Sequence, residues 1–199
     1  RVQFPIVLNE GEETRVTIWD EACEAISPNT DIHEWFSAFL GIKVRLVYMP
    51  EHSRRPVDPD YAIDADINSF SDGYPILVIG QSSLDMLNSK LQSPVGMNRF
   101  RPNIVFNTGV PFEEDTWKKF KMGDSYFHGV KPCSRCILTT VDPECGQTGK
   151  EPLQTLATFR KTNTKIYFGQ NVIPADKGGI IKLGDEIQVL ERMRALQFD

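Results

Sequence analysis

From Asn29 to Gly41 the apolar residues fall at Ile32, Trp35, Phe36, Phe39 and Leu40, the spacing that lays one stripe along a helix. Polar capping residues precede the stripe and Gly41 follows it, so the pattern predicts a helix that stops there. A second stripe, Leu84, Leu87 and Leu91 in SSLDMLNSKL, predicts another helix with Ser82 as its cap. EEDTWKKF (113–120) reads as a short helix with acids first and lysines last, favourable for the helix dipole. EPLQTLATFRK (151–161) reads as a further helix with Pro152 in its first turn.

The remaining pattern is that of strands. VQFPIVLNEGEETRVTIWD (2–20) predicts two strands about a Gly-containing turn, with an acidic loop after it. VRLVYMP (44–50) predicts a strand closed by proline, YPILVIG (74–80) a short buried strand, and RFRPNIVFNTG (99–109) a strand entered through Pro102. MGDSYFHGVKPCSRCILTTVDP (122–143) reads as successive strands, and GGIIKLGDEIQVLE (178–191) as a hairpin over a Gly-Asp turn. The polar stretch from Glu51 to Asp72 has Pro56 and Pro59 and no period, so it is expected to be a long ordered loop near a site. Strands outnumber helices and no repeat appears. The expected fold class is α+β, a strand-rich β-barrel with peripheral helices.

Composition narrows the class of function. The chain has 199 residues, 40% of them hydrophobic, enough for one substantial core or a core with a satellite. A net charge of −5 argues against a broad nucleic-acid surface. No apolar run approaches the roughly 20 residues of a membrane-spanning helix, and the opening residues lack the plan of a signal peptide. The expectation is a cytoplasmic protein. Four cysteines, Cys23, Cys133, Cys136 and Cys145, do not make a secreted disulfide scaffold and favour free thiols or metal ligands.

Cys133 and Cys136 stand in KPCSRCILTTVDP (131–143), a C-x-x-C pair with several chemistries open to it. A thioredoxin-type thiolate needs a helix N-terminus, and ILTTVDP is poor helix material. Zinc needs four ligands, which His128, Cys133, Cys136 and Cys145 could supply, although a second C-x-x-C is missing. Two small core thiols on a strand are the plainest alternative. His52 and His128 read as ordinary histidines.

Several blocks in a fixed order carry a resemblance: FSDGYPILVIG, FRPNIVF, KPCSRCILTTVDP, EPLQTLATFRK and IKLGDEIQVL, together with the helix HEWFSAFLG. The chain resembles the MOSC domain, named after the C-terminal domain of molybdenum cofactor sulfurase, in its YcbX and mitochondrial amidoxime-reducing component branch. The resemblance implies a MOSC-type β-barrel over 46–199, preceded at 1–45 by the closing portion of a β-rich MOSC-associated domain, most of which is missing. It implies a pterin-based molybdenum cofactor whose metal is ligated by the second cysteine of C-x-R-C, Cys136, which is thereby the catalytic residue. A soft thiolate suits a metal otherwise held by dithiolene sulfurs. Cys133 is then a neighbour.

Arg101 and Asn103 of FRPN are implied cofactor contacts, an Arg fork and an amide being suited to a phosphate and polar ring edges. Asp72, Gly73 and Tyr74 align with a further cofactor-touching segment, mostly through backbone, and Ser134 and Arg135 flank the ligand. The implied activity is two-electron reduction of N-hydroxylated substrates by oxygen removal at the Cys-ligated metal. Electrons would come from a separate protein, ferredoxin-like or a b-type cytochrome with a flavin reductase behind it. The alternative is a molybdenum cofactor or persulfide-sulfur carrier with no reductase activity of its own. With most of the preceding domain missing, the cofactor is expected to be held weakly or to be absent. Cys145 has no implied role.

Overall fold

The computed structural model describes residues 1–7, 10–28, 30–176 and 178–199, in two compact units, Arg1–Gly73 and Tyr74–Asp199. In the first unit, β1 (Glu12–Ile18) and β2 (Glu21–Ser27) form an antiparallel hairpin about Trp19 and Asp20. The hairpin therefore lies later than the two strands expected within 2–20, and the expected acidic loop is its second strand. Small side chains at alternate positions, Cys23, Ala25 and Ser27, bury one face of β2, so close packing overrides the low strand propensity of Glu and Ala. Helix α1 (Thr30–Leu40) follows and ends where Gly41 takes φ 69°. Of the polar capping residues expected before the helix, Asn29 lies outside the described residues.

Residues 44–50 do not form the expected strand; they make one isolated bridge, Ile26 to Tyr48. Other partners take their amides: Val44 N–H donates to Ser37 Oγ (3.0 Å) and Leu46 N–H to His33 Nδ1 (3.1 Å). The polar stretch that follows is organised around Arg55, which is 4% exposed. Its guanidinium donates to Glu21 (2.6 Å) and to the carbonyls of Ser69 (2.9 Å), Ser71 (2.5 Å) and Asp72 (2.8 Å). A buried cation with four acceptors satisfies loop carbonyls that no ladder serves.

The second unit is built on one sheet, curled into a half-barrel, of order β4-β3-β8-β6-β5-β9. In chain order these are β3 (Ile76–Gly80), β4 (Ile104–Phe106), β5 (Trp117–Met122), β6 (Ser125–Ser134), β7 (Lys161–Thr162), β8 (Lys165–Pro174) and β9 (Ile187–Arg192). All neighbours are antiparallel except β3 and β4, and β7 pairs only with the start of β8. Helices α2 (Gln81–Asn88) and α3 (Leu153–Leu156) accompany the sheet. The strand-rich α+β class with a barrel-like sheet holds.

Three expected elements are replaced. EEDTWKKF is a single 3-10 turn over Glu113–Thr116 running into β5: the charge order that favours a helix dipole is outweighed by the pairing of β5 with β6 and β9, where a register irregularity buries both Trp117 and Phe120. The final hairpin is one strand, β9, whose partner is β5. Ser82 lies inside α2, which starts after Gly80 with no side-chain cap. MGDSYFHGVKPCSRCILTTVDP holds one strand, β6, and then a 3-10 turn over Ile137–Thr140.

Neighbours on β3 point to opposite faces, and two cores result. Val78 packs with Phe106, Trp117, Phe120, Met122, Phe127 and Val172. Ile79 packs with Leu84, Leu87, Phe100, Leu156 and Phe168. Two buried acids brace the second core. Asp115 takes a two-pronged ion pair from Arg160 (2.7 and 3.0 Å), and Arg160 stacks on Phe112 and Phe198. Fully buried Glu114 accepts from Gly80 N–H (3.1 Å) and Ser83 Oγ (2.9 Å); burial pushes its carboxyl above the usual range against those hydrogen bonds.

Strand β8 serves both cores. Ile166 and Phe168 pack into the second and Val172 into the first, although all three share strand parity. Gly169, at φ 83°, lies between them. A Cβ there would come within 2.7 Å of Ile79 Cγ1 and 3.0 Å of the Val78 carbonyl. Gly169→Ala should therefore cost about 2–4 kcal/mol through left-handed strain and overpacking, measured as a fall in unfolding free energy by chemical denaturation.

Candidate functional site

The residues of FRPN each have a separate physical task. Phe100 is 1% exposed and packs on Phe168 with centroids 4.3 Å apart; burying such a ring contributes roughly 2–3 kcal/mol. That exceeds the approximately 1–2 kcal/mol cost of Arg101, a non-glycine residue in the left-handed region at φ 54°. Pro102 limits the chain beyond it. Asn103 then bonds Leu77 twice: its N–H to the Leu77 carbonyl (2.9 Å) and its Oδ1 from the Leu77 N–H (2.8 Å). Arg101 is left exposed between two anchored neighbours.

The cysteine segment begins at the end of β6. Cys133 is half-buried, Ser134 is exposed, Arg135 is half-buried and Cys136 is exposed. The Arg135 amide donates to the Ile166 carbonyl on β8 (2.7 Å), continuing the β6–β8 edge by one residue. Its guanidinium donates to the Phe100 carbonyl (2.7 Å) and to Cys133 Sγ (3.1 Å) and lies over the Phe100 ring at 5.5 Å. The side chain of Arg135 thus engages the protein itself. Cys136 then heads the 3-10 turn, where its carbonyl accepts from the Thr139 amide (3.2 Å) and hydroxyl (3.0 Å).

A residue not singled out from the sequence joins these parts. Arg99, directly before Phe100, donates to the Thr140 carbonyl (3.1 Å) and to Asp142 Oδ2 (2.9 Å). Asp142 Oδ1 also accepts from the Glu144 N–H (2.9 Å). That backbone N–H, ahead of the Arg99 cation and the Cys145 N–H and thiol, holds the Asp142 carboxyl below its usual range against a burial penalty. Arg99, Thr140 and Asp142 line a 460 Å³ cleft with Gly149 and Glu151. Asn103 lines a second, of 670 Å³, between β4 and the segment leading into β9.

Of the residues singled out from the sequence, the fold brings Arg101, Asn103, Ser134, Arg135 and Cys136 into one unit, with Arg135 bridging the two loops that carry them. Tyr74 opens the same unit, next to β3. Asp72 and Gly73 close the first unit, where the Asp72 carbonyl is held by Arg55. His128 lies in β6 and Cys145 is exposed after the 3-10 turn. Among the described residues no three His, Cys, Asp or Glu side chains gather as a metal cluster, so the four-ligand zinc arrangement is not formed there. Cys136 is an exposed thiol and Arg101 an exposed guanidinium on two loops joined through Arg135 and the Phe100 carbonyl; a soft thiolate suits a metal ion and a guanidinium an anionic organic group. No helix among the described residues is long and apolar enough to cross a membrane.

This curled sheet with its C-x-R-C strand end is that of a MOSC domain: the family model matches residues 65–188, and the chain belongs to that family. The chain is 38% identical to human mitochondrial amidoxime-reducing component 1 over 171 residues, covering 79% of this chain and 50% of the relative. It is 37% identical to the zebrafish (Danio rerio) protein of the same name over 170 residues, 78% of this chain and 51% of the relative. It is 30% identical to molybdenum cofactor sulfurase of Solanum lycopersicum over 200 residues, 88% of this chain and 24% of the relative. The chain spans about half the length of the amidoxime-reducing component relatives, and less of the sulfurase.

The Asp142 anchor gives a pH dependence. Its native value is lowered, so its contribution is present above the unfolded value of about 3.9 and is lost as pH falls through the native one. The protection of the Glu144 amide, relative to its intrinsic exchange rate at each pH, should fall across that acid step in the wild type. In Asp142→Asn the step should vanish.

Proposed function

We propose that this chain is a molybdenum-cofactor domain that reduces N-hydroxylated compounds. The observation that carries the reading is the solvent-exposed Cys136 thiol, on a strand end tied to the Arg101 loop, in a chain of the MOSC family. The relatives' names, amidoxime-reducing component and molybdenum cofactor sulfurase, support both substrate class and cofactor.

In this reading Cys136 ligates the metal through its thiolate, and Arg101 pairs with the terminal phosphate of the pterin. Asn103, whose Oδ1 is engaged by Leu77, offers its amide N–H to a ring edge. Ser134 contributes through its backbone, as do Asp72, Gly73 and Tyr74. When bound, the cofactor would supply two-electron redox chemistry. Overall, an N–OH group, two electrons and two protons give N–H and water. The protons arrive through solvent, which reaches Cys136, and the electrons from a separate redox protein, ferredoxin-like or a b-type cytochrome fed by a flavin reductase. The chain works in the cytoplasm. Residues 1–45 serve as the closing part of a β-rich domain and 46–199 as the MOSC domain.

A second reading is favoured by the same exposure: a carrier that holds the cofactor, or a persulfide sulfur on Cys136, for another enzyme. An accessible thiolate is what sulfur transfer needs. Mass spectrometry finding a labile extra sulfur on Cys136, with no molybdenum bound, would favour it over the reductase.

Cofactor reconstitution followed by an amidoxime assay separates the two. Cys136→Ala should lose bound molybdenum and N-reduction while unfolding within about 0.5 kcal/mol of the wild type, as exposed positions do. Full metal and full turnover in that variant would end the proposal.

A further inference from the structure

We infer that Arg99 and Arg135 are positioning residues, two guanidinium groups that lock the strained Arg101 turn to the Cys136 segment. The inference rests on the cofactor reading of Arg101 and Cys136 and extends it to two side chains that need not touch the cofactor.

Arg101 occupies a backbone conformation that an ordinary L-residue leaves if released. What holds it is the peptide group on its N-terminal side. The carbonyl of that peptide, belonging to Phe100, accepts from Arg135 Nη2 at 2.7 Å, while the Phe100 ring is buried and lies against the same guanidinium. Arg135 cannot shift independently of the cysteines, because its amide is pinned to the Ile166 carbonyl and its Nη1 donates to Cys133 Sγ. A displacement of the strand end that carries Cys136 is thereby a displacement of the Arg101 turn.

Arg99 closes the loop from the other side. It reaches across 41 and 43 positions to the Thr140 carbonyl and to Asp142, at the far end of the 3-10 turn that Cys136 begins. The guanidinium is largely sheltered, at 15% exposure, which strengthens its charge-assisted hydrogen bonds relative to an exposed pair. Arg135, from inside the C-x-R-C segment, therefore holds the Phe100 carbonyl, and Arg99, just before Phe100, holds the far end of the 3-10 turn that Cys136 begins. Only a guanidinium serves here, since each side chain uses two separate N–H directions at once. A lysine offers one ammonium at the end of a flexible stem.

The experiment is hydrogen exchange on the full chain without cofactor, together with cofactor retention in the loaded chain. Arg135→Met and Arg99→Met should each raise exchange about tenfold within residues 98–103 and 137–142, the size expected for losing a charge-assisted hydrogen bond. Strands β3, β5 and β8 should keep their protection. Arg135→Lys should behave like Arg135→Met, not like the wild type. In the loaded chain, Arg135→Met and Arg101→Ala should both hasten loss of molybdopterin, and the double variant should lose it no faster than Arg101→Ala alone. Unchanged exchange at 98–103, a uniform rise across the sheet, or additive effects on cofactor loss would overturn the inference. A wild-type chain that takes up no molybdopterin would instead sink the cofactor reading, and the exchange data would then decide the clamp by themselves.

Discussion

The second unit depends on β8 being paired along both edges while its side chains change sides midway. Its pairing with β3 and β6 places Val172 in one core and Phe168 in the other. Gly169 makes the change possible: a left-handed residue with no Cβ fits where Ile79 and the Val78 carbonyl crowd the backbone. Opposite this point the β6 register slips twice, between Gly129 and Lys131 and between Pro132 and Ser134. The strand that delivers Cys133 and Cys136 is thus already irregular before it ends. Irregularity of this kind is how a sheet re-aims a side chain at its rim.

The candidate site follows from that arrangement. Phe168 on β8 receives the ring of Phe100, and Ile166 on β8 receives the amide of Arg135. One strand therefore fixes both loops, the first through an apolar contact and the second through a hydrogen bond. The energetics are uneven: the buried ring contributes more than the left-handed turn costs, so the core sustains the strain next door. Strain held by surrounding packing is a recurrent property of functional sites, and here the strained residue is also the exposed cation.

Much of this was legible in the sequence where the signal is local. The apolar run at 76–80, the stripe of α1, its Gly41 stop and the strand after Pro102 all formed as their patterns imply. Misreadings arose where tertiary contacts replaced local rules. The acids-then-lysines order of 113–120 suits a helix dipole, but pairing with β6 and β9 takes Trp117–Met122 into the sheet. Residues 44–50 have strand-forming side chains, but Ser37 and His33 intercept their amides. Strand β8 itself offers no clean alternation, since its faces exchange at Gly169. At the site, Cys136 and Arg101 could be singled out by resemblance, whereas Arg99 and Arg55 could not: their partners are carbonyls and a carboxylate far along the chain, and no motif spacing encodes them.

Glu114 has a consequence for the molecule as a whole. Its carboxyl titrates above the ordinary range in the native state, whereas in the unfolded chain it would ionise near pH 4.3, by about the usual value. Between those two limits, refolding draws one proton from solution. Alkalinity therefore opposes folding from within the second core, while acidity acts at Asp142, whose carboxyl is shifted the other way. The two acids are displaced in opposite directions and so respond oppositely to pH, neither of them among the residues proposed to hold the cofactor.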